Sequence, residues 1–124
     1  MAKFYRCSRC GNLVHMVEDK GVTPVCCGLP MTLLTANTTD AAGEKHLPVV
    51  TPLDKQIKVT VSTVEHPMTP EHHISWIFVE TKQGNLLKYL PVDQKAEAVF
   101  DVAIEDVVAV YEYCNLHGLW KTEV

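Results

Sequence analysis

Gln56-Ile-Lys-Val-Thr-Val-Ser62 alternates apolar and polar residues with period two, which predicts a half-buried strand. Ile74-Ser-Trp-Ile-Phe-Val-Glu80 is apolar and rich in β-formers, a second strand. Gln83-Gly84-Asn85 supplies a turn before a third strand at Leu86-Leu-Lys-Tyr-Leu90. Further strands are expected at Ala98-Val-Phe-Asp-Val102 and from Val107 to Tyr113. Ala and Glu would also permit a helix over 95–113, but the density of Val favours strand. Short strands at roughly ten-residue spacing predict a β-sandwich.

This patterning is confined to the second part of the chain. Thr35-Ala-Asn-Thr-Thr-Asp-Ala-Ala-Gly43 is small, polar and aperiodic, and reads as a linker or exposed loop. Residues 1–36 are too few for a self-sufficient hydrophobic core and call for a metal or disulfides. Charge divides at the same place. Residues 1–36 carry four basic and two acidic side chains, whereas residues 37–124 carry seven and thirteen. Two domains are expected, 1–36 and 37–124.

The 124 residues are 47% apolar, enough to bury a globular core. A formal charge of −4 argues against a nucleic-acid binder, which carries a basic patch. The best apolar run, Val107 to Tyr111, is hemmed in by Glu105, Asp106 and Glu112, so no membrane span is expected. Met-Ala-Lys-Phe-Tyr-Arg-Cys7 shows no apolar stretch of the secretory kind, and a cytoplasmic location is the expectation.

In that setting, five cysteines point to metal or catalytic thiols rather than to a disulfide framework. Cys7-x-x-Cys10 turns two sulfurs towards one point, and Gly11 permits the tight backbone behind them. Cys26-Cys27-Gly28 supplies a second pair, and four thiolates suit a tetrahedral zinc or iron site. Adjacent cysteines cannot both approach a metal with relaxed geometry, so a distorted tetrahedron is expected.

Histidine has the opposite bias. His46 follows the linker, and His66-Pro67-Met68-Thr69-Pro70-Glu71-His72 places two imidazoles across two prolines that exclude a regular helix. Cys114-Asn115-Leu116-His117-Gly118 adds a thiol and an imidazole at a strand end. His73 would point away from His72 on a strand, and His15 stands apart; both read as ordinary polar residues. Glu44 and Lys45, judged alone, are two solvated charges on a loop.

Cys-x-x-Cys-Gly, Cys-Cys-Gly, Glu-Lys-His, His-Pro-Met-x-x-x-His and Cys-Asn-Leu-His-Gly, in that order over nearly the whole chain, resemble the desulfoferrodoxins, the two-iron superoxide reductases. The resemblance implies iron on Cys7, Cys10, Cys26 and Cys27 in a desulforedoxin-like domain. It implies a second iron in an immunoglobulin-like β-sandwich, with His46, His66, His72 and His117 in a plane and the Cys114 thiolate axial. No ligand position departs from the family pattern. The resemblance further implies that Lys45 attracts superoxide and assists protonation, and that Glu44 occupies the sixth position of the ferric state. It also implies a homodimer and a small electron donor such as rubredoxin.

Four neutral nitrogens and a thiolate leave an octahedral iron one position short, where a small oxidant can bind. Two other readings compete. A blue-copper carrier also places a cysteine–histidine loop at the end of a β-sandwich, but Leu119 and Trp120 stand where its axial methionine would follow. A non-enzymatic zinc protein explains the four early thiols and leaves the later cluster an accident.

Overall fold

The computed structural model describes residues 1–38, 46–62 and 65–124. These residues form two compact units, Met1–Thr35 and Ala36–Val124.

In the first unit, β1 (Phe4–Arg6) lies between β2 (Leu13–His15) and β5 (Thr32–Leu33), antiparallel to both. β3 (Val25–Cys26) and β4 (Leu29–Pro30) form a separate hairpin. Its buried cluster is Tyr5, Cys7 and Met31, flanked by Val14, Met16 and Cys26. Two cysteines sit within that cluster, so this unit's interior and its thiol site are one region.

The second unit is a sandwich of two antiparallel sheets. Three strands, β6 (Pro48–Pro52), β7 (Ile57–Val61) and β10 (Glu97–Phe100), run in the order β10-β7-β6. The other sheet has the order β12-β11-β8-β9, from β8 (Ile74–Thr81), β9 (Gly84–Tyr89), β11 (Val107–Cys114) and β12 (Gly118–Glu123). Ile57, Val59 and Val61 of β7 face Ile77 and Val79 of β8 and Val110 of β11 across the core, with Phe100 closing one side. The strict alternation of β7 arises here: its odd-numbered positions are buried and its even ones half-exposed.

Several boundaries differ from expectation. The Lys82–Gln83 turn precedes Gly84, so Gly84 and Asn85 join β9 instead of bending the chain. The strand expected to Val102 stops at Phe100, and Ile104–Asp106 forms a 3₁₀ turn before β11. β6 and β12 were not foreseen. Of the expected linker, residues 39–43 lie outside the described residues. Asn37 does not dangle: its backbone N–H donates to Leu119 O at 3.0 Å, and its side chain donates to Lys121 O at 3.1 Å. Its Oδ1 accepts from the Lys121 N–H at 2.9 Å.

The register explains where function collects. Pro48 opens β6 opposite Val61, the end of β7, so His46 and the loop carrying His66 leave one end of the three-stranded sheet. Ile74 and Gly118 both pair with Cys114, so the ends of β8, β11 and β12 that carry His72, Cys114 and His117 also coincide.

Candidate metal centres

At the first centre, the Cys7 N–H donates to Asn12 O at 2.8 Å and the Gly11 N–H to Cys7 O at 3.0 Å, folding the Cys7–Cys10 segment back on itself. Gly11 has φ of +81°, as that turn requires. Backbone N–H groups of Cys10 and Asn12 point at the Cys7 and Cys10 sulfurs, 3.5 and 3.4 Å away. The adjacent pair reaches the site by a two-residue hairpin: Cys27 and Gly28 take φ of +53° and +74° between Cys26 and Leu29. A left-handed cysteine is uncommon, and it resolves how neighbouring thiols converge.

All four sulfurs lie within 4.8 Å of one another. A metal ~2.3 Å from each of four sulfurs separates them by ~3.8 Å. Cys10 and Cys26 stand 3.6 Å apart and the adjacent Cys26 and Cys27 4.0 Å apart, on either side of that value. Backbone N–H groups at Cys10 and Arg9 pull the Cys7 thiol down to about 6, while sharing protons with Cys10, Cys7 and Cys26 pushes Cys27 up to about 12. Metal binding here therefore releases protons.

At the second centre, His46, His66, His72, Cys114 and His117 bring five donor atoms within 4.8 Å of one another. The four imidazoles close a ring. Centroids run from His46 to His66 (4.8 Å), His72 (4.7 Å), His117 (5.0 Å) and back to His46 (4.7 Å), each ring edge-on to the next at 74–84°. Neighbouring nitrogens ~2.1 Å from a shared metal at right angles stand ~3.0 Å apart. The Nε2 atoms of His46 and His66 are 3.2 Å apart, and His117 Nδ1 is 3.0 Å from His46 Nε2. The Cys114 Sγ lies 3.6 Å from His66 Nε2 and 3.7 Å from His117 Nδ1. The donors present thus fit one metal ion. His46, His66 and Cys114 are buried, whereas His72 and His117 are half-buried.

Local bonds hold these donors. The short Cys114-x-x-His117 hairpin turns the Nδ1 atom of His117 inward, a choice of nitrogen invisible in the sequence. His66 donates from Nδ1 to Pro67 O at 2.7 Å, which leaves its Nε2 lone pair for the metal. Thr69 Oγ1 accepts the His72 N–H at 3.1 Å, and Asn115 clasps the same loop by accepting from His73 N–H (2.8 Å) and donating to Glu71 O (2.9 Å). His73 itself donates from Nδ1 to Thr69 O at 2.9 Å and is outside the donor cluster. His15 sits on β2 beside Phe4. Glu44 and Lys45 lie outside the described residues.

Three residues around this site were missed in the sequence. Trp120 stacks on His46, Asn115 ties two ligand loops together, and Glu112 is fully buried on the core face of β11. The signal for Glu112 was its parity with Val110 and Cys114 along one strand face. Burial alone holds its carboxyl well above the usual range, and burial first of all raises the Cys114 thiol.

Burial also pushes His66 down to about 4 from an ordinary 6.5. In metal-free protein, the unfolded chain therefore takes up a proton on acidification before the folded imidazole does. Stability from this group is complete above pH 6.5 and declines as pH falls towards about 4, where the loss ends. The expected decline is on the order of 3 kcal/mol. Urea midpoints of metal-free wild type and His66→Gln across that window measure it, and parallel curves would contradict it.

A copper carrier of the kind weighed above needs two imidazoles and a thiolate, and four imidazoles converge here. Met68, on the same loop, accepts the Ile74 N–H through its sulfur at 3.3 Å. Structural zinc sites are four-coordinate, so a zinc protein accounts for the first centre only.

The family model described as desulfoferrodoxin matches residues 38–123, and that of the desulfoferrodoxin N-terminal domain matches residues 1–34. A desulfoferrodoxin from Nitratidesulfovibrio vulgaris is 43% identical over 121 residues, covering 98% of this chain and 95% of its own. The crystal structure of a superoxide reductase from Treponema pallidum superposes with a TM-score of 0.82 at 39% identity, covering 99% of both chains. A one-iron superoxide reductase from Giardia intestinalis, 29% identical with a TM-score of 0.53, covers 65% of this chain and 97% of its own.

Proposed function

The chain belongs to the desulfoferrodoxin family, and on that premise we propose that it is a superoxide reductase, acting at the five-donor centre. The closed ring of four imidazoles with the Cys114 thiol against it carries the reading. Iron bound there supplies the one electron that, with two protons, converts superoxide to hydrogen peroxide.

The chain's own groups set the conditions for that step. Cys114, once deprotonated, donates electron density to the site from within the core. The imidazoles bind as neutral ligands, which the low affinity of His66 for a proton favours at neutral pH. His72 and His117, half-buried where the other three donors are buried, mark the side from which a small anion and solvent protons would enter. Lys45, next in sequence to His46, supplies local positive charge in a segment of net −6 (seven basic and thirteen acidic residues over 37–124) and assists protonation. Glu44 would offer its carboxylate to iron held there in the oxidised resting state. The first centre has no spare position once its four thiolates are engaged; it is supportive rather than catalytic. A rubredoxin-like one-electron donor, a homodimer and a cytoplasmic location complete the proposal. Among the described residues, no helix is long and apolar enough to cross a membrane.

The adjacent pair separates the roles. Lys45→Ile should slow the reaction of ferrous protein with superoxide about three- to tenfold at low salt. The gap should close as salt rises, because screening acts over about 10 Å at 0.1 M. Glu44→Ala should leave this step unchanged or slightly faster, yet alter the ferric spectrum and ease azide binding. Pulse radiolysis of both variants with azide titrations decides it. Slower capture in Glu44→Ala with unchanged azide binding would reverse the assignments.

A further inference from the structure

β12 meets the segment around His46 at two points, both from its core-facing side. Trp120 and Thr122 alternate onto that side, opposite Glu112 and Val110 of β11. Thr122 Oγ1 donates to Pro48 O at 2.6 Å, fixing the start of β6. Two residues along the chain from each of these, the Trp120 indole lies flat on the His46 imidazole, with centroids 4.8 Å apart and planes at 17°. Its edge does separate work: Nε1–H donates to His117 O at 3.2 Å. The indole is only 4% exposed and His46 only 2%.

Every other ring contact of His46 within the cluster is edge-on, to His66 at 74° and to His117 at 84°. Those contacts involve the ligands' own edges. A flat indole on its face resists tilting of the imidazole about its donor nitrogen, because tilting would drive it into a buried surface. The hydrogen bond to His117 ties the same indole to the neighbouring ligand, so two adjacent corners of the ring share one rigid support.

We propose that Trp120 is a positioning residue of the second centre, holding His46 in its metal-binding plane by stacking on its face. It rests on the five donors forming a metal site, not on the reaction that site performs. Supports of this kind change metal retention about 10- to 100-fold when removed.

Two variants separate stacking from simple filling of space. Trp120→Phe keeps an aromatic face and loses the N–H; Trp120→Leu loses both. With a ferrous chelator, Trp120→Leu should release iron from the second centre about 10- to 100-fold faster than wild type. Trp120→Phe should stay within about threefold of wild type, with the ferric charge-transfer band of Trp120→Leu displaced and that of Trp120→Phe close to wild type. First-centre absorbance reports an intact chain. Wild-type release from Trp120→Leu, or equal losses in both variants, overturns the proposal. Fluorescence tests it without Trp120→Leu. Trp76→Phe leaves Trp120 as the only indole, and ferrous iron should quench its emission more than that of Trp120→Phe, which retains Trp76. Equal quenching overturns the seating of Trp120 on the ligand.

Discussion

Replacing Cys114 with Ser should abolish the thiolate-to-iron charge-transfer band of the oxidised second centre and leave the four-thiolate absorption of the first untouched. The reaction of pre-reduced protein with superoxide should fall on the order of 100-fold or more, since removing a ligand costs at least as much as removing a ligand's support. Two features make this position sensitive. Cys114 is fully buried, packed among Ile74, Ile77 and Val110, so a serine hydroxyl there gains no solvent in exchange for the sulfur. It is also the single sulfur among five donors, and so the single strong electron donor. Visible spectra and iron content before and after the substitution, followed by pulse radiolysis, measure it. Survival of both bands would mean that the thiol is not a ligand.

Cys10→Ser acts on the other unit and should separate the two. Among the described residues of Met1–Thr35 the buried apolar side chains are Phe4, Tyr5, Cys7 and Met31, too little apolar surface to order a chain of that length. Structural metal binding in small domains contributes about 10–16 kcal/mol, far more than this cluster can supply, so an emptied centre unfolds the unit. Amide protection in β1, β2 and β5 should vanish, while the sandwich keeps its protection and its iron. The superoxide rate of pre-reduced protein should change less than about twofold, because the second centre draws its donors from Ala36–Val124 alone. A fall matching that of Cys114→Ser, with the second iron retained, would make the first centre part of the chemistry.

How far the sequence foretold all this depended on the kind of signal. β7 was legible because one of its faces is core and the other half-exposed, which writes a period of two into Ile57–Val61. β6 was not, because Pro48 and Pro52 bound it and it is an edge strand exposed along most of its length. β12 hides its period for another reason: adjacent Leu119 and Trp120 are both buried, one on each face of the sheet. The strands of the first unit are two or three residues long, too short for any period to register. Ligand identities were legible because a metal site demands particular side chains at particular spacings, and all nine donors fall into two clusters. What the spacing could not carry was the support around them: the Asn115 clasp and the indole on His46 join segments far apart in sequence, and residue types alone do not say which nitrogen of His117 its short hairpin presents.

The central claim is that the second centre reduces superoxide and does not dismute it, and the yield of peroxide tests this most directly. Ferrous protein in excess should be mixed anaerobically with a measured dose of superoxide, with peroxide, dissolved oxygen and the second-centre spectrum followed together. The expected result is one peroxide formed and one second centre oxidised for every superoxide consumed, with no oxygen released. Half a peroxide per superoxide with oxygen evolved, or consumption without oxidation of the second centre, would contradict it.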